Sequence, residues 1–206
     1  RPSERLRRIC PLCFGGYRPG LKLSLADILV CIDACFGQKR RKSSQTDGPL
    51  QHSDGRFVPE SEILAMEREV ASKRQGPGKK RARGAGPLPS EEVLDECEQS
   101  FIAAQEKVVK ASKNYYADTG LMALLCRHDR VLWIANMTSP GERQHYALVL
   151  LRQLAKELPE SWRIGLLYDI ACQIRRSIEK VRHLCCHWGK SLMLDSGTYY
   201  LSWLIG

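Results

Sequence analysis

The sequence has no apolar stretch of the about 18 residues needed to cross a bilayer, and no signal-peptide core follows its basic N-terminus. We therefore expect a soluble, intracellular chain without a membrane partner. Acidic residues are few beside basic ones, 23 against 32, which gives a formal charge of +9 and a pI near 9.2. This excess of positive charge favours polyanionic partners without identifying one.

The sequence also lacks an initiator methionine, so we expect that it begins inside a longer reading frame. Its 206 residues suffice for one sizeable core or for one domain with an insertion, and a hydrophobic content of 43% favours a packed interior. Nine cysteines in an intracellular chain are typical of thiols and metal ligands rather than of a disulfide framework.

The spacing of apolar residues predicts an α/β fold. Strands are expected at 27–36, in a hairpin that turns around Asp129, and at 162–172; helices are expected at 59–74, from Ser90 to about Tyr116, at 141–158 and at 173–184. Apart from the long segment after the first strand, the order is strand, hairpin, helix, strand, helix. This is the order of the ribonuclease H-like fold, a mixed sheet with helices on both faces whose fourth strand lies parallel to the first.

The composition divides the chain into three parts. Residues 1–24 form a basic, cysteine-containing segment that we expect to be loop-like. Residues 25–182 form the predicted core, with a helical, basic insertion at about 38–118 and a flexible basic linker at 75–89. Residues 183–206 form an atypical tail that we do not expect to fold.

Two apolar segments each contain one aspartate: Asp33 in ILVCIDACFG and Asp169 in IGLLYDIAC. Burial of an unpaired carboxylate is costly, so an aspartate inside a buried strand needs a partner. In the predicted fold both lie at neighbouring central strands, where open sheets bind ligands. Adjacent carboxylates repel each other unless a cation separates them, and Mg²⁺ prefers such ligands. The alternative is two ordinary strand-end residues that accept backbone hydrogen bonds.

The cysteines offer a second candidate site. CPLC places Cys10 and Cys13 at the spacing with which two thiolates bind one zinc ion, and a tetrahedral site needs two further ligands. CRH offers Cys126 and His128 at the predicted hairpin. The alternative is a pair of ordinary thiols. The cysteines that we expect to fill the core are Cys31, Cys35 and Cys172.

Two basic runs complete the candidates. The first, KRRK, comprises Lys39, Arg40, Arg41 and Lys42 and follows the strand that carries Asp33. We expect it to contact DNA phosphates near the metal site, and the alternative is solvated loop charge. The second, KKRAR at 79–83, is either loop charge or a nuclear import signal.

Three longer stretches resemble the Kyakuja-Dileera-Zisupton (KDZ) transposases: ILVCIDACFGQKRR, GLMALLCRHDRVLWIANMTSPGERQHYALVLLRQL and WRIGLLYDIACQIRRSIEK. The resemblance covers roughly residues 10–182. It implies a nuclear DDE-type transposase with a ribonuclease H-like core that cleaves and joins DNA ends with Mg²⁺ or Mn²⁺. It also implies thiol and histidine ligands for Zn²⁺. On that pattern Asp33 matches the first catalytic acid and Asp169 the second.

The family's third carboxylate is a glutamate well downstream of the second aspartate, and this sequence stops resembling the family near Arg182. Glu179 lies only ten residues after Asp169, so we do not assign it this role. We therefore expect an incomplete or inactive transposase fragment. The alternatives are a non-catalytic DNA-binding or zinc-stabilised protein derived from a transposon, and a nuclease of the same fold. A homo-oligomer is consistent with these hypotheses, and no small-molecule substrate is expected.

Overall fold

The computed structural model describes residues 1–16, 26–43, 55–74, 115–139, 141–169, 174 and 192–194. The predicted linker at 75–89 and the helix predicted from Ser90 lie outside the described residues. The helix predicted at 173–184 also lies outside them, except for Ile174, which is buried. No helix in the described part of the chain is long and apolar enough to span a membrane.

The described residues form a mixed α/β structure. Its helices and strands are α1 (Glu4–Ile9), α2 (Pro11–Phe14), β1 (Ile28–Cys35), β2 (Arg40–Arg41), α3 (Glu60–Arg74), β3 (Tyr116–Asp118), β4 (Gly120–Cys126), β5 (Val131–Met137), α4 (Gln144–Glu157), β6 (Ile164–Leu167) and β7 (Leu192–Leu194). Five strands form one sheet in the order β5-β4-β1-β6-β7, while β2 and β3 pair separately. β4 is antiparallel to β1 and β5, whereas β6 is parallel to β1 and to β7.

The predicted hairpin is confirmed as β4 and β5. At its turn Asp129 has a φ of 57°, a left-handed conformation that aspartate tolerates better than most residues. The N–H of Cys126 donates to the carbonyl of Arg130 at 3.0 Å and closes the turn. The predicted parallel contact between the first and fourth strands is also confirmed, with Ile28 opposite Ile164.

The two faces of β1 differ in burial because successive side chains of a strand point to opposite sides of the sheet. The side chains on the buried face are those of Ile28, Val30 and Ile32. Asp33 lies on the other face and is exposed, as is Cys35, while Cys31 is half-buried. The expected burial of Asp33 and the expected core position of Cys35 are therefore wrong. The apolar run predicts that both faces of β1 are buried. Among the described residues, only the face with Ile28, Val30 and Ile32 is buried.

Helices α4 and α3 confirm two predicted helices, and each contributes to the core. The buried residues of α3 are Ile63, Met66 and Val70, and those of α4 include Tyr146, Leu150, Leu151 and Leu154. Ion pairs join the polar edges of these helices. Arg152 contacts Glu69 at 2.6 Å, and Lys156 contacts Glu62 at 2.9 Å.

The N-terminal segment is helical where we expected a loop. Ser3 caps α1 by accepting a hydrogen bond from the N–H of Leu6 at 3.1 Å, and the Leu6 side chain is fully buried. The N–H of Ser3 also donates to the carbonyl of Glu157 at 2.9 Å, which attaches α1 to the end of α4. The buried Leu6 side chain and the Ser3 cap thus stabilise α1, although most of its residues are polar.

The buried Tyr146 hydroxyl accepts hydrogen bonds from the N–H groups of Thr138 and Ser139 at 2.9 and 3.0 Å. Tyr146→Phe leaves both donors without this acceptor, so we expect the free energy of unfolding to fall by about 1–3 kcal/mol. Urea denaturation measures the change. Tyr115→Phe is the control, because Tyr115 is 72% exposed and should change stability by less than about 0.5 kcal/mol. Equal effects of the two variants would contradict the assignment.

Candidate functional site

The structure brings all four predicted zinc ligands together. Sγ of Cys10, Cys13 and Cys126 and a ring nitrogen of His128 lie within 4.8 Å of one another. Nδ1 of His128 is 3.6 Å from Sγ of Cys10 and 3.2 Å from Sγ of Cys13. The three cysteines are buried and the histidine is exposed. The cluster therefore closes one end of the core with a single ligand facing solvent.

Local structure explains why these side chains converge. Pro11 begins α2, a position that suits its fixed φ, and the N–H of Phe14 donates to the carbonyl of Cys10 at 3.0 Å. This single turn directs both cysteines of CPLC toward the hairpin. Cys126 ends β4, and His128 lies in the tight turn that follows.

The chemistry of the donor set fits a metal such as zinc. Three sulfurs and one nitrogen form a recognised tetrahedral site, in which a Zn–S bond of about 2.3 Å places neighbouring sulfurs about 3.8 Å apart. Burial raises the pKa of the Cys13 thiol, and the neighbouring Cys126 and Cys10 raise it further. The Cys13 thiol thus keeps its proton unless a cation compensates the thiolate, and a metal ion supplies that compensation.

The second candidate site lies where β1 and β6 run side by side. In their parallel register Cys31 faces Leu167, an offset of 136 residues. Asp33 and Asp169 are two residues further along and keep the same offset. β6 ends at Leu167, short of the strand predicted at 162–172, so Asp169 lies in the following turn. Both aspartates are exposed.

A third carboxylate, Glu142, belongs to the same neighbourhood and was missed in the sequence. It precedes α4, follows Gly141, whose φ is 83°, and is half-buried. The buried Tyr168, directly before Asp169, donates its hydroxyl hydrogen bond to Oε1 of Glu142 at 2.7 Å. The signal in the sequence is the acid of SPGER, at the start of the helix predicted over 141–158. We interpreted that stretch only as the start of the helix.

The electrostatics of these groups are coupled. Burial, together with the negative charges of Asp169 and Asp33, raises the pKa of Glu142 to about 7 against the lowering effect of the Tyr168 hydrogen bond. Burial also raises the pKa of Tyr168, as do Glu142 and the same two aspartates. The fields of Asp33 and Asp169 thus reach the same two side chains. Three acidic groups in one neighbourhood are the arrangement that a divalent cation stabilises.

This raised pKa predicts a pH dependence of stability. The folded chain keeps a proton on Glu142 up to about pH 7, while the unfolded chain releases it near the ordinary value of 4.5. The stabilisation is complete below pH 4.5 and is lost as the pH rises through 7. In EDTA, Glu142→Gln should therefore gain about 1–2 kcal/mol over the wild type at pH 8, after allowance for solvent screening, and little at pH 5. Denaturation at both pH values measures this, and a gain independent of pH would contradict it.

The KRRK run is exposed, as expected for a phosphate contact. Arg40 and Arg41 form β2, which pairs with β3. Nε of Arg40 contacts the mostly buried carboxylate of Asp118 at 2.5 Å, and Nζ of Lys39 lies 5.2 Å from the ring centre of Tyr116. Arg40 thus has a structural ion pair that the sequence did not predict. The contact of this run with DNA stays a prediction.

The chain matches the model of a known protein family. The family model described as "KDZ: Kyakuja-Dileera-Zisupton transposase" matches residues 26–197. The match begins after CPLC and extends beyond Arg182. Residues 26 and 197 therefore replace the limits of about 10 and 182 that we expected for the resemblance. Leu192–Leu194, in the segment that we did not expect to fold, form β7. No curated protein and no solved structure matches significantly. Because the family match covers most of the chain, the protein belongs to the KDZ transposase family.

Proposed function

We propose that the chain is the catalytic core of a DDE-type DNA transposase, in which Asp33 and Asp169 hold Mg²⁺ or Mn²⁺ for phosphodiester cleavage and strand transfer. The observation that carries the proposal is the parallel register of β1 and β6, which ends at Cys31 and Leu167, two residues before Asp33 and Asp169. Membership of the KDZ family supports this class of reaction and DNA as the substrate.

The strand order supports a ribonuclease H-like core. An antiparallel hairpin lies on one side of β1, and parallel β6 and β7 lie on the other. Ligands of open sheets bind beyond the strand ends, and Asp33 and Asp169 lie toward the same end of two parallel strands. Under this proposal their exposure is useful, because a scissile phosphate must approach them.

Each acidic residue has a distinct task in this proposal. Asp33 and Asp169 provide the oxygen ligands, and Glu142 acts through Tyr168 to hold the backbone just before Asp169. A bound divalent cation neutralises charge on the scissile phosphate and on the attacking and leaving oxygens. The family's downstream glutamate has no assigned counterpart in this chain, so we propose that turnover is slow and that the chain is an incomplete form of the enzyme.

Nicking of supercoiled plasmid DNA tests this function. We expect slow nicking that requires Mg²⁺ or Mn²⁺, that stops in EDTA and that Asp33→Ala or Asp169→Ala abolishes. Glu60→Gln is the control, because Glu60 is an exposed acid at the start of α3. Nicking that both alanine variants retain would contradict the assignment of the two aspartates.

The alternative is a non-catalytic DNA-binding or zinc-stabilised protein derived from a transposon. It is favoured by the Cys/His cluster, whose four ligands are assembled within this chain, whereas the acidic site has no assigned counterpart of the third family acid. This alternative predicts DNA binding that is insensitive to Asp33→Ala and Asp169→Ala, without metal-dependent nicking. A nuclease of the same fold would cut DNA ends without joining them.

Nuclear localisation and self-association follow from the same proposal. A transposase acts on DNA, so we propose that the chain works in the nucleus, with the basic run at 79–83 as its import signal. Strand transfer joins transposon ends to a target, which favours a homo-oligomer that holds two ends together. Gel filtration with and without DNA ends distinguishes a monomer from such an assembly.

A further inference from the structure

A cavity of about 1110 Å³ lies next to the Cys/His cluster, and four arginines are among its lining residues. The arginines that line it are Arg5, Arg8, Arg56 and Arg130, and the acidic residue among its lining residues is Glu157. Ser3 and Arg5 both contact that carboxylate, so its charge is already compensated. Small-molecule pockets are mostly apolar, whereas this cavity presents a cluster of guanidinium groups.

Three separate parts of the chain supply the arginines of the cavity. Helix α1 supplies Arg5 and Arg8, the turn between β4 and β5 supplies Arg130, and residues 55–59 supply Arg56. The last of these runs along β5, since the N–H of Val58 donates to the carbonyl of Ile134 at 2.8 Å. Arg8 and Arg130 are exposed.

Arg5 holds two of these walls together. Its guanidinium lies 4.3 Å from the ring centre of the buried Trp133 and donates to the carbonyl of Leu132 at 2.7 Å. Arg5 also lies 3.6 Å from the carboxylate of Glu157. These contacts make Arg5 a structural residue of the cavity and leave ligand contact to the exposed arginines.

The Cys/His cluster fixes the same walls. Cys10 and His128 line the cavity and belong to the cluster, and each is two residues from an exposed arginine, Arg8 in one case and Arg130 in the other. A metal ion bound by the four ligands would therefore hold the backbone at these two arginines on neighbouring walls of the cavity. Guanidinium groups form charge-assisted hydrogen bonds with the phosphates of a nucleic acid backbone.

We propose that this arginine-lined cavity binds the sugar–phosphate backbone of DNA, with Arg8 and Arg130 as its phosphate contacts. The choice of DNA over another polyanion rests on the proposed function. The site is distinct from Lys39–Lys42, and the cluster residue Cys126 lies opposite Val30, nearer the start of β1 than Asp33. It therefore adds a second DNA contact outside the acidic site.

Fluorescence anisotropy with a labelled duplex of arbitrary sequence tests the proposal. The zinc-loaded protein is titrated between about 50 and 200 mM salt, where each lost phosphate contact lowers the slope of log K against log salt by about 0.9. We expect Arg8→Ala with Arg130→Ala to lower that slope by nearly two and the affinity by about tenfold or more. The matched control is Arg7→Ala with Arg68→Ala, which removes the same charge from exposed residues that do not line the cavity.

Equal losses in the two double variants would overturn the proposal, because they would report overall charge alone. It would also be overturned if the wild type bound polyglutamate as tightly as DNA. Circular dichroism and zinc content confirm that each variant is folded. Loss of metal-dependent nicking with intact, cavity-dependent DNA binding would contradict the proposed function while supporting this site.

Discussion

Replacement of His128 by alanine is expected to release zinc and to lower the free energy of unfolding by about 3 kcal/mol or more. The physical reason is that a structural metal stabilises only the folded state, in which its ligands are assembled. In this chain the ligands join α2 to the β4–β5 hairpin, and three of them are buried. His128 is itself exposed, so its truncation removes little packing. A large loss would therefore report the metal rather than a cavity.

The matched control for this variant is Arg127→Ala, an exposed residue in the same turn, which should keep its zinc and lose less than about 0.5 kcal/mol. Zinc content is measured by atomic emission and stability by urea denaturation, each with and without chelator. Wild-type protein that contains no zinc after loading, or whose stability is unaffected by chelation, would contradict the metal centre.

The second large effect concerns the acidic site. Asp33→Ala or Asp169→Ala should each lower the affinity for Mn²⁺ by about 100-fold, because loss of one ligand costs more than loss of a supporting group, which typically costs 10–100-fold. The double variant should be little worse than either single variant, since one ion depends on both carboxylates. Electron paramagnetic resonance of free Mn²⁺ gives the affinities.

Two comparisons make that measurement specific. Glu60→Gln should bind Mn²⁺ like the wild type, because Glu60 lies on α3 outside the site. Glu142→Gln should have an intermediate effect, since glutamine can still accept the Tyr168 hydrogen bond. If the losses of Mn²⁺ affinity in the two aspartate variants were independent and additive, each aspartate would hold its own ion, and this would contradict our account.

Much of the fold could be predicted because its signals are local. The hairpin follows from two apolar segments around Asp129, and α4 follows from apolar residues at helical spacing. The N-terminal helices were missed because α1 contains only Leu6 as a buried residue, too few for a periodic signal. The exposure of Asp33 was missed because an apolar run does not reveal which face of a strand is covered.

The candidate sites also differ in whether their signals are local in the sequence. The members of the Cys/His cluster were predictable because CPLC and CRH have short, specific spacings, although the fold was needed to show that the two motifs meet. Glu142 was missed because its relation to Asp169 depends on a hydrogen bond from Tyr168, 26 residues away in sequence. The arginine-lined cavity was missed because its arginines come from three segments that meet only in the folded chain.

The most direct test of the central claim is an experimental structure of the protein with Mn²⁺, determined with anomalous diffraction. Our account predicts one anomalous peak bonded to carboxylate oxygens of both Asp33 and Asp169, at a distance close to the about 2.1 Å typical of Mg²⁺. Carboxylates that point to opposite faces of the sheet, or a peak bonded to only one of them, would contradict it.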